Sequence, residues 1–233
     1  MANILCIETA TENCSVALSV DDTLIFCKEA AEPKIHATQL NHFIEIVLKE
    51  AGKIFSDIDA VAVSKGPGSY TGLRIGVATA KGICYALNKP LIAVNTLQAM
   101  AYSFIESGLV TQENSNPFFI IPMIDARRDE VYCAVFDSEM QLSEQTEAKI
   151  LDAFSFINFE SRKVYFIGNG ADKAEKILKV NSNFSFKPEL TASAKGLVKP
   201  AIQLYNASQF ESVAYFEPYY LKEFIAKLPQ RQR

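Results

Sequence analysis

The chain has no tryptophan, only two histidines, and five cysteines that are scattered rather than paired. Cys6, Cys14, Cys27, Cys84 and Cys133 form no Cys-x-x-Cys spacing and are odd in number, which argues against a disulfide framework or a zinc site and predicts reduced, mostly buried thiols. His36 and His42 lie about 240° apart around a helix, so they cannot make the i, i+4 pair of a helical metal site and read as surface or helix-start residues. With no other histidine, a Ser-His or Cys-His nucleophile lacks its base. No apolar run is long enough to cross a bilayer, and no secretory leader pattern is seen, so a cytoplasmic protein is expected. Positive charge is not in excess either: 23 basic against 27 acidic residues give a net charge of −4. Any nucleic-acid contact would need a local basic patch or a partner's surface.

What is present is ordinary globular composition, 49% hydrophobic and 21% charged over 233 residues, enough for one large domain or two lobes. The first part reads as three strands (3–8, 15–20, 23–28), then an amphipathic helix over 36–51. Leu40, Phe43, Ile44, Val47, Leu48 and Ala51 fall on one face of that helix. A buried strand from Asp59, a glycine-rich turn and an apolar helix to Leu87 follow, then a strand at 91–94 and a helix at 96–107. A polar stretch after Glu106 sets the expected lobe boundary, giving 1–107 and 108–233. In the second lobe, strands are expected at 118–124, 131–136 and 164–167, with helices at 151–159, 171–180 and 191–205. This is an α/β pattern, and the second lobe looks like a decayed echo of the first. The basic tail 228–233 is expected to be disordered.

The sharpest local feature is Lys65-Gly66-Pro67-Gly68-Ser69-Tyr70-Thr71-Gly72-Leu73-Arg74-Ile75-Gly76. A glycine turn at a helix start can cradle a phosphate, which makes Gly68 and Ser69 candidates. The loop nevertheless matches neither the P-loop nor the Gly-x-Gly-x-x-Gly spacing. Glu8, at the end of the first strand, is a candidate for orienting a metal or nucleotide phosphate, or else for capping its own turn. In the helix, Gly72, Gly76 and Ala80 recur every four residues, and Leu73, Val77, Cys84 and Leu87 make a second apolar face. Such a helix is buried on two sides, against its own lobe and against either a neighbouring helix or another subunit. The charged turn 125–130 carries Arg127 and Arg128. It is either an internally paired hairpin tip or a contact for a partner or RNA phosphate.

Three segments together resemble a known family: Ile4-Leu5-Cys6-Ile7-Glu8-Thr9-Ala10, the glycine loop from Gly66 to Gly76, and Ile124-Asp125-Ala126-Arg127-Arg128-Asp129-Glu130-Val131-Tyr132. It is the TsaB (YeaZ) family, paralogues of the tRNA threonylcarbamoyltransferase TsaD. The resemblance implies a two-lobed actin-like fold of the sugar kinase and Hsp70 type, related to ribonuclease H. It also implies a noncatalytic subunit in forming N6-threonylcarbamoyladenosine in tRNA, pairing with TsaD, joined by the ATPase TsaE, and homodimeric when alone. No intrinsic cofactor is implied; ATP or ADP would sit at the interface of the complex. Carried onto this chain, first-lobe helices would meet the partner, with Leu40, Phe43, Gly72, Leu73, Gly76, Val77, Ala80, Lys81 and Cys84 as interface residues.

Where the catalytic paralogue carries Val-Asn-His-x-x-x-His, this chain has Val94-Asn95-Thr96-Leu97-Gln98-Ala99-Met100. A hydroxyl and a thioether are poor ligands for a hard or borderline ion, so no catalytic metal is expected. The competing reading is an independent actin-fold kinase or nucleotide hydrolase using Glu8 and the glycine loop.

Overall fold

The computed structural model describes residues 1–32, 35–110, 117–178 and 181–222. The expected basic tail, part of the polar stretch after Glu106 and the last two residues of the expected 171–180 helix lie outside them. Two five-stranded mixed sheets carry the fold. The first comprises β1 (Asn3–Glu8), β2 (Asn13–Val20), β3 (Thr23–Ala31), β4 (Ala60–Gly66) and β5 (Leu91–Asn95), in the order β3-β2-β1-β4-β5. The second comprises β6 (Phe118–Asp125), β7 (Glu130–Asp137), β8 (Leu142–Ile150), β9 (Lys163–Ile167) and β10 (Phe184–Lys187), in the order β10-β9-β6-β7-β8. In each, three antiparallel strands are extended by two parallel ones from the first strand's other side. The second sheet therefore repeats the first, with β6 in the place of β1.

Alternation along the central strands sends two different cores to the two faces of the first sheet. Leu5, Ile7, Val61 and Val63 face helices α1 (Ile35–Glu50) and α2 (Tyr70–Leu87), whose Leu40, Phe43, Ile44, Val77 and Cys84 complete the cluster. Ile4, Cys6, Ala60, Ala62, Ile92 and Val94 face the other way. They meet Ala99 of α3 (Thr96–Glu106), the 3-10 turn Ala194–Leu197 and α5 (Val198–Asn206). The opposite side of α3 presents Leu97, Met100, Ala101 and Phe104 to Ile120, Ile124 and Phe136 of the second sheet. Helix α3 is thus a wedge between the sheets. Each fully buried Leu97- or Phe104-sized side chain contributes on the order of 2–3 kcal/mol of burial to that contact. The far face of the second sheet is covered by α4 (Ala171–Leu178) through Ala171, Ala174 and Leu178.

Local chemistry explains the helix ends. Ser69 caps α2, its Oγ accepting from the Gly72 amide at 3.3 Å, and Asn88 closes it in the left-handed region at φ 52°. Asn95 caps α3, its Oδ1 accepting from Leu97 and Gln98. Two expectations fail in the second lobe. The segment expected as a helix over 151–159 is a set of turns ending in a 3-10 turn at Ile157–Phe159. Asp152 and Ser155 close that turn on one another, with Asp152 Oδ1 also accepting from the Phe154 amide, so local side-chain bonds replace helical ones. The helix expected over 191–205 begins only at Val198, after an extended stretch whose Ser193 caps the 3-10 turn. Beyond α5, residues 207–222 form an irregular strap that runs back over the first lobe, bridging Leu91 at Glu211.

Candidate functional site

At the ends of β1 and β4, Glu8 is fully buried. Its Oε1 accepts from the Ala10 amide at 2.6 Å and from Ser64 Oγ at 2.7 Å, while Oε2 is buried with no partner. Burial drives its pKa up to about 7, partly offset by hydrogen bonds from Ala10, Ser64 and Thr9. The strand registers set Glu29, Ser15, Glu8 and Ser64 in one row across the sheet. The segment leading into the 3-10 turn docks along that row. Ser193 and Lys195 bind Glu29, the Ala194 amide donates to Ser15 Oγ, and Asn13 Nδ2 donates to the Ala192 carbonyl. Glu8 therefore caps its own turn, with its carboxylate closed off from solvent. Sequence reading missed Ser64. The signal available was a hydroxyl on the Ala60-Ala62 face of a strand that is apolar up to that point.

The glycine loop serves the same turn. A Cβ at Gly68 would overlap the Ala10 carbonyl, one at Gly72 the Thr9 carbonyl, and one at Gly76 the Thr9 hydroxyl. The Ser69 amide donates to Ala10 O at 2.7 Å. Of the loop amides that a phosphate would use, that of Ser69 is thus spent on the β1–β2 turn and that of Gly72 on the Ser69 cap, and the glycines are required by chain packing. Thr9, whose buried Oγ1 has no hydrogen-bond partner, is the residue that sequence reading passed over.

The side chains expected to meet a partner lie elsewhere than on the surface. Leu40, Phe43, Gly72, Leu73, Gly76, Val77, Ala80 and Cys84 are all buried in this chain's own first lobe. The two-sided burial of α2 is satisfied internally, by the sheet and the β1–β2 turn on one side and by α1 and the strap on the other. Lys81 is half-buried and holds the strap, donating to the carbonyls of Ala214 at 3.1 Å and Phe216 at 3.0 Å. Arg74 donates to Tyr220 Oη at 3.2 Å, Tyr70 packs against Tyr220 with ring centroids 4.9 Å apart, and the Tyr219 amide donates to Lys65 O. The strap ends on the second lobe, where Lys222 pairs with Glu130 and lies over the Tyr132 ring. What α2 leaves in solvent is Thr71, Arg74, Ala78, Gly82, Tyr85 and Ala86, with Tyr85 85% exposed.

Arg127 and Arg128 form the exposed tip between β6 and β7, both in the left-handed region at φ 67° and 53°. Neither guanidinium makes an ion pair among the described residues. The acidic partner Asp125 is taken instead by Lys173, at 2.7 Å, and by the Arg127 amide. The two carboxylates thus pair with lysines from outside the tip, Asp125 with Lys173 and Glu130 with Lys222, and not with the arginines between them. His42 is exposed, 3.8 Å from Glu45, whereas His36 is the second residue of α1, the helix-start placement, and is buried there, its pKa lowered by that burial. Among the described residues no cluster of three or more His, Cys, Asp or Glu side chains could hold a metal, and no helix is long and apolar enough to cross a membrane.

The family model for TsaD, tRNA N6-adenosine threonylcarbamoyltransferase, matches residues 29–227. The chain is 30% identical to the tRNA threonylcarbamoyladenosine biosynthesis protein TsaB of Escherichia coli K12, over 98% of this chain and 99% of that one. It is also 30% identical to TsaB of Bacillus subtilis, over 71% and 70% of the two chains. Likeness to a transferase itself is narrower: 47% identity to that of Dictyoglomus turgidum, over 30% of this chain and 21% of the other. Among solved structures, YeaZ from Pseudomonas aeruginosa superposes with a TM-score of 0.81 at 25% identity, covering 95% of this chain and all of that one. Full-length agreement in sequence and in fold thus falls on one branch, and the chain belongs to the TsaB (YeaZ) family of tRNA threonylcarbamoyladenosine biosynthesis proteins.

Proposed function

We propose that the chain is a noncatalytic scaffold and activator in forming N6-threonylcarbamoyladenosine in tRNA, pairing with the transferase TsaD and recruiting the ATPase TsaE. One observation carries this reading: the outer face of α2. A glycine inside a helix costs about 1 kcal/mol relative to alanine. Gly72 and Gly76 are accounted for by Thr9, but a Cβ at Gly82 would meet nothing within 4 Å in this chain. Ala78 and Gly82, one turn apart beside the exposed Tyr85, leave a shallow face onto which a helix of a second chain can settle closely, with the tyrosine as anchor. The same face serves a homodimer when TsaD is absent.

Two further observations support a subunit without its own chemistry. Thr96 and Met100, in the place of the paralogue's metal-ligand histidines, are buried between the lobes at 0% and 1% exposure. Glu8 and the glycine loop, on which an independent kinase or hydrolase would depend, are each engaged with the β1–β2 turn. ATP or ADP then belongs at the interface of the complex, Arg127 and Arg128 are free to meet tRNA or a partner, and the tRNA substrate implies a cytoplasmic setting. Reconstituting the modification from TsaD, TsaE, tRNA and the activated donor, with and without this chain, tests the reading. Full activity in its absence would sink it, and ATP turnover by the isolated chain would favour the kinase alternative.

A further inference from the structure

At the end of the second sheet away from the glycine turns, Phe118 opens β6 and Lys163 opens β9, paired in parallel register. Between them and the start of β10 lies a pocket of about 600 Å³ lined, among the described residues, by Pro117, Phe118, Ser161, Arg162, Lys163, Tyr165 and Asn183, with no acidic side chain among them. In a chain of net charge −4 that absence makes the pocket a local sink for anions. Neither Arg162 nor Lys163 has an ion-pair partner among the described residues. Lys163 Nζ instead stands 5.5 Å from the centre of the Tyr165 ring. That ring is fixed by Phe104 at 5.0 Å and by Phe118, edge-on, at 5.6 Å. Asn183 donates its Nδ2 to the Glu160 carbonyl at 2.9 Å, which fixes the carboxamide and leaves its Oδ1 as an acceptor.

We infer that this pocket is a nucleotide subsite for single-stranded RNA, with Arg162 and Lys163 on a phosphate, a base against the Phe118–Tyr165 edge, and Asn183 Oδ1 accepting from an exocyclic amine. Two unpaired cations beside aromatic rings are the elements by which single strands are held, and the pocket is too large for phosphate alone. A cationic ligand would meet two like charges, and a bare sugar would find no carboxylate to hold its hydroxyls. RNA as the source of the nucleotide rests on the tRNA role proposed above; the pocket chemistry does not.

The test is anisotropy of a fluorescein-labelled short single-stranded RNA titrated with the full-length protein over a salt series, with AMP and inorganic phosphate as competitors. The R162A/K163A double variant is expected to bind at least about tenfold more weakly at low salt. Its salt slope should fall by about 0.7, for one phosphate no longer neutralised on a single strand. K49A/K176A, which removes two exposed lysines of α1 and α4, serves as the control for charge elsewhere. RNA binding that is unchanged in R162A/K163A, or lost equally in the control, overturns the site. Competition by inorganic phosphate as strong as by AMP overturns the base contact, and AMP binding as tightly as the RNA overturns RNA as the occupant. Co-elution of the same double variant with TsaD is measured in parallel. Retained pairing with lost RNA binding supports the site, whereas absent pairing in the wild-type protein would strike the scaffold reading and leave the subsite standing.

Discussion

Thr9 sets how near helix α2 comes to strand β1, and Gly76 is the residue that allows it. A Cβ at position 76 would run into the Thr9 hydroxyl, with Thr9 Cβ and Cγ2 both at 3.3 Å. G76A gains helix propensity of about 1 kcal/mol but overpacks a buried contact by about 1–3 kcal/mol, so a net loss of up to about 2 kcal/mol is expected. G72A should be worse, because its clash is with the Thr9 carbonyl, which cannot rotate away. Urea unfolding of G76A, T9A and the double variant checks the mechanism. T9A/G76A should recover most of the loss, and additive penalties would show that the clash is not with the hydroxyl.

The first lobe was readable because its elements carry strong periods: an apolar face on α1, buried runs in β1, β4 and β5, and caps at Ser69 and Asn95. The second was only partly so. Strand β8 reads Leu142-Ser-Glu-Gln-Thr-Glu-Ala-Lys-Ile150, and as an edge strand it is mostly solvated on both faces, so no alternation marks it. Strand β10 is four residues long, too short for a pattern to emerge. The site failed differently. The small-residue stripe of α2 correctly announced a close approach, but periodicity cannot say to what. The approach is to Thr9 and Ala10, some sixty residues earlier in the chain, and only the register of β1 against β4 brings them there.

Lys81 ties the strap to α2 through two carbonyls. K81M keeps the aliphatic stem and removes the donors, so global stability should change by no more than about 1 kcal/mol, since the bonds are at the edge of solvent. Hydrogen exchange should report the change instead. Amides of 211–220 are expected to exchange faster in K81M, while those of β1 and β4 keep their protection. Unchanged exchange in the strap would mean that Tyr219 on Lys65 and Tyr220 on Arg74 suffice.

Glu8 makes stability pH-dependent in a direction opposite to most carboxylates. Its folded pKa is raised from 4.5 to about 7, so the folded state retains a proton that the unfolded state has lost. The stabilising contribution is fully present below about pH 4.5 and is lost as pH rises through about 7. Across that window the decline attributable to Glu8 is on the order of 3 kcal/mol. E8Q keeps an oxygen for the Ala10 amide and Ser64 but does not titrate, so the E8Q-minus-wild-type difference in unfolding free energy should rise with pH between 5 and 8. A flat difference would mean that water reaches Oε2 and relieves the burial.

If the outer face of α2 receives TsaD, then bulk and charge there should abolish pairing while leaving the fold intact. Gly82 is the site to use, because a side chain added at it meets nothing within the chain, unlike Gly76 or Ala80, whose substitution would disturb the core first. G82A should raise helix stability by about 0.5–1 kcal/mol. G82R should be near neutral for the isolated protein yet weaken co-elution with TsaD by at least about a hundredfold, as expected when an unpaired charge is driven into a close helix contact. Y85A removes the exposed aromatic anchor and should cost pairing about 2 kcal/mol, in the range of an interface hot spot. Thermal unfolding of each isolated variant, followed by titration with TsaD, separates the two effects. A folded G82R that pairs as well as the wild type would place the partner on another face. Tyr85 would then be an isolated surface aromatic, and Gly82 would be left without an explanation in the structure.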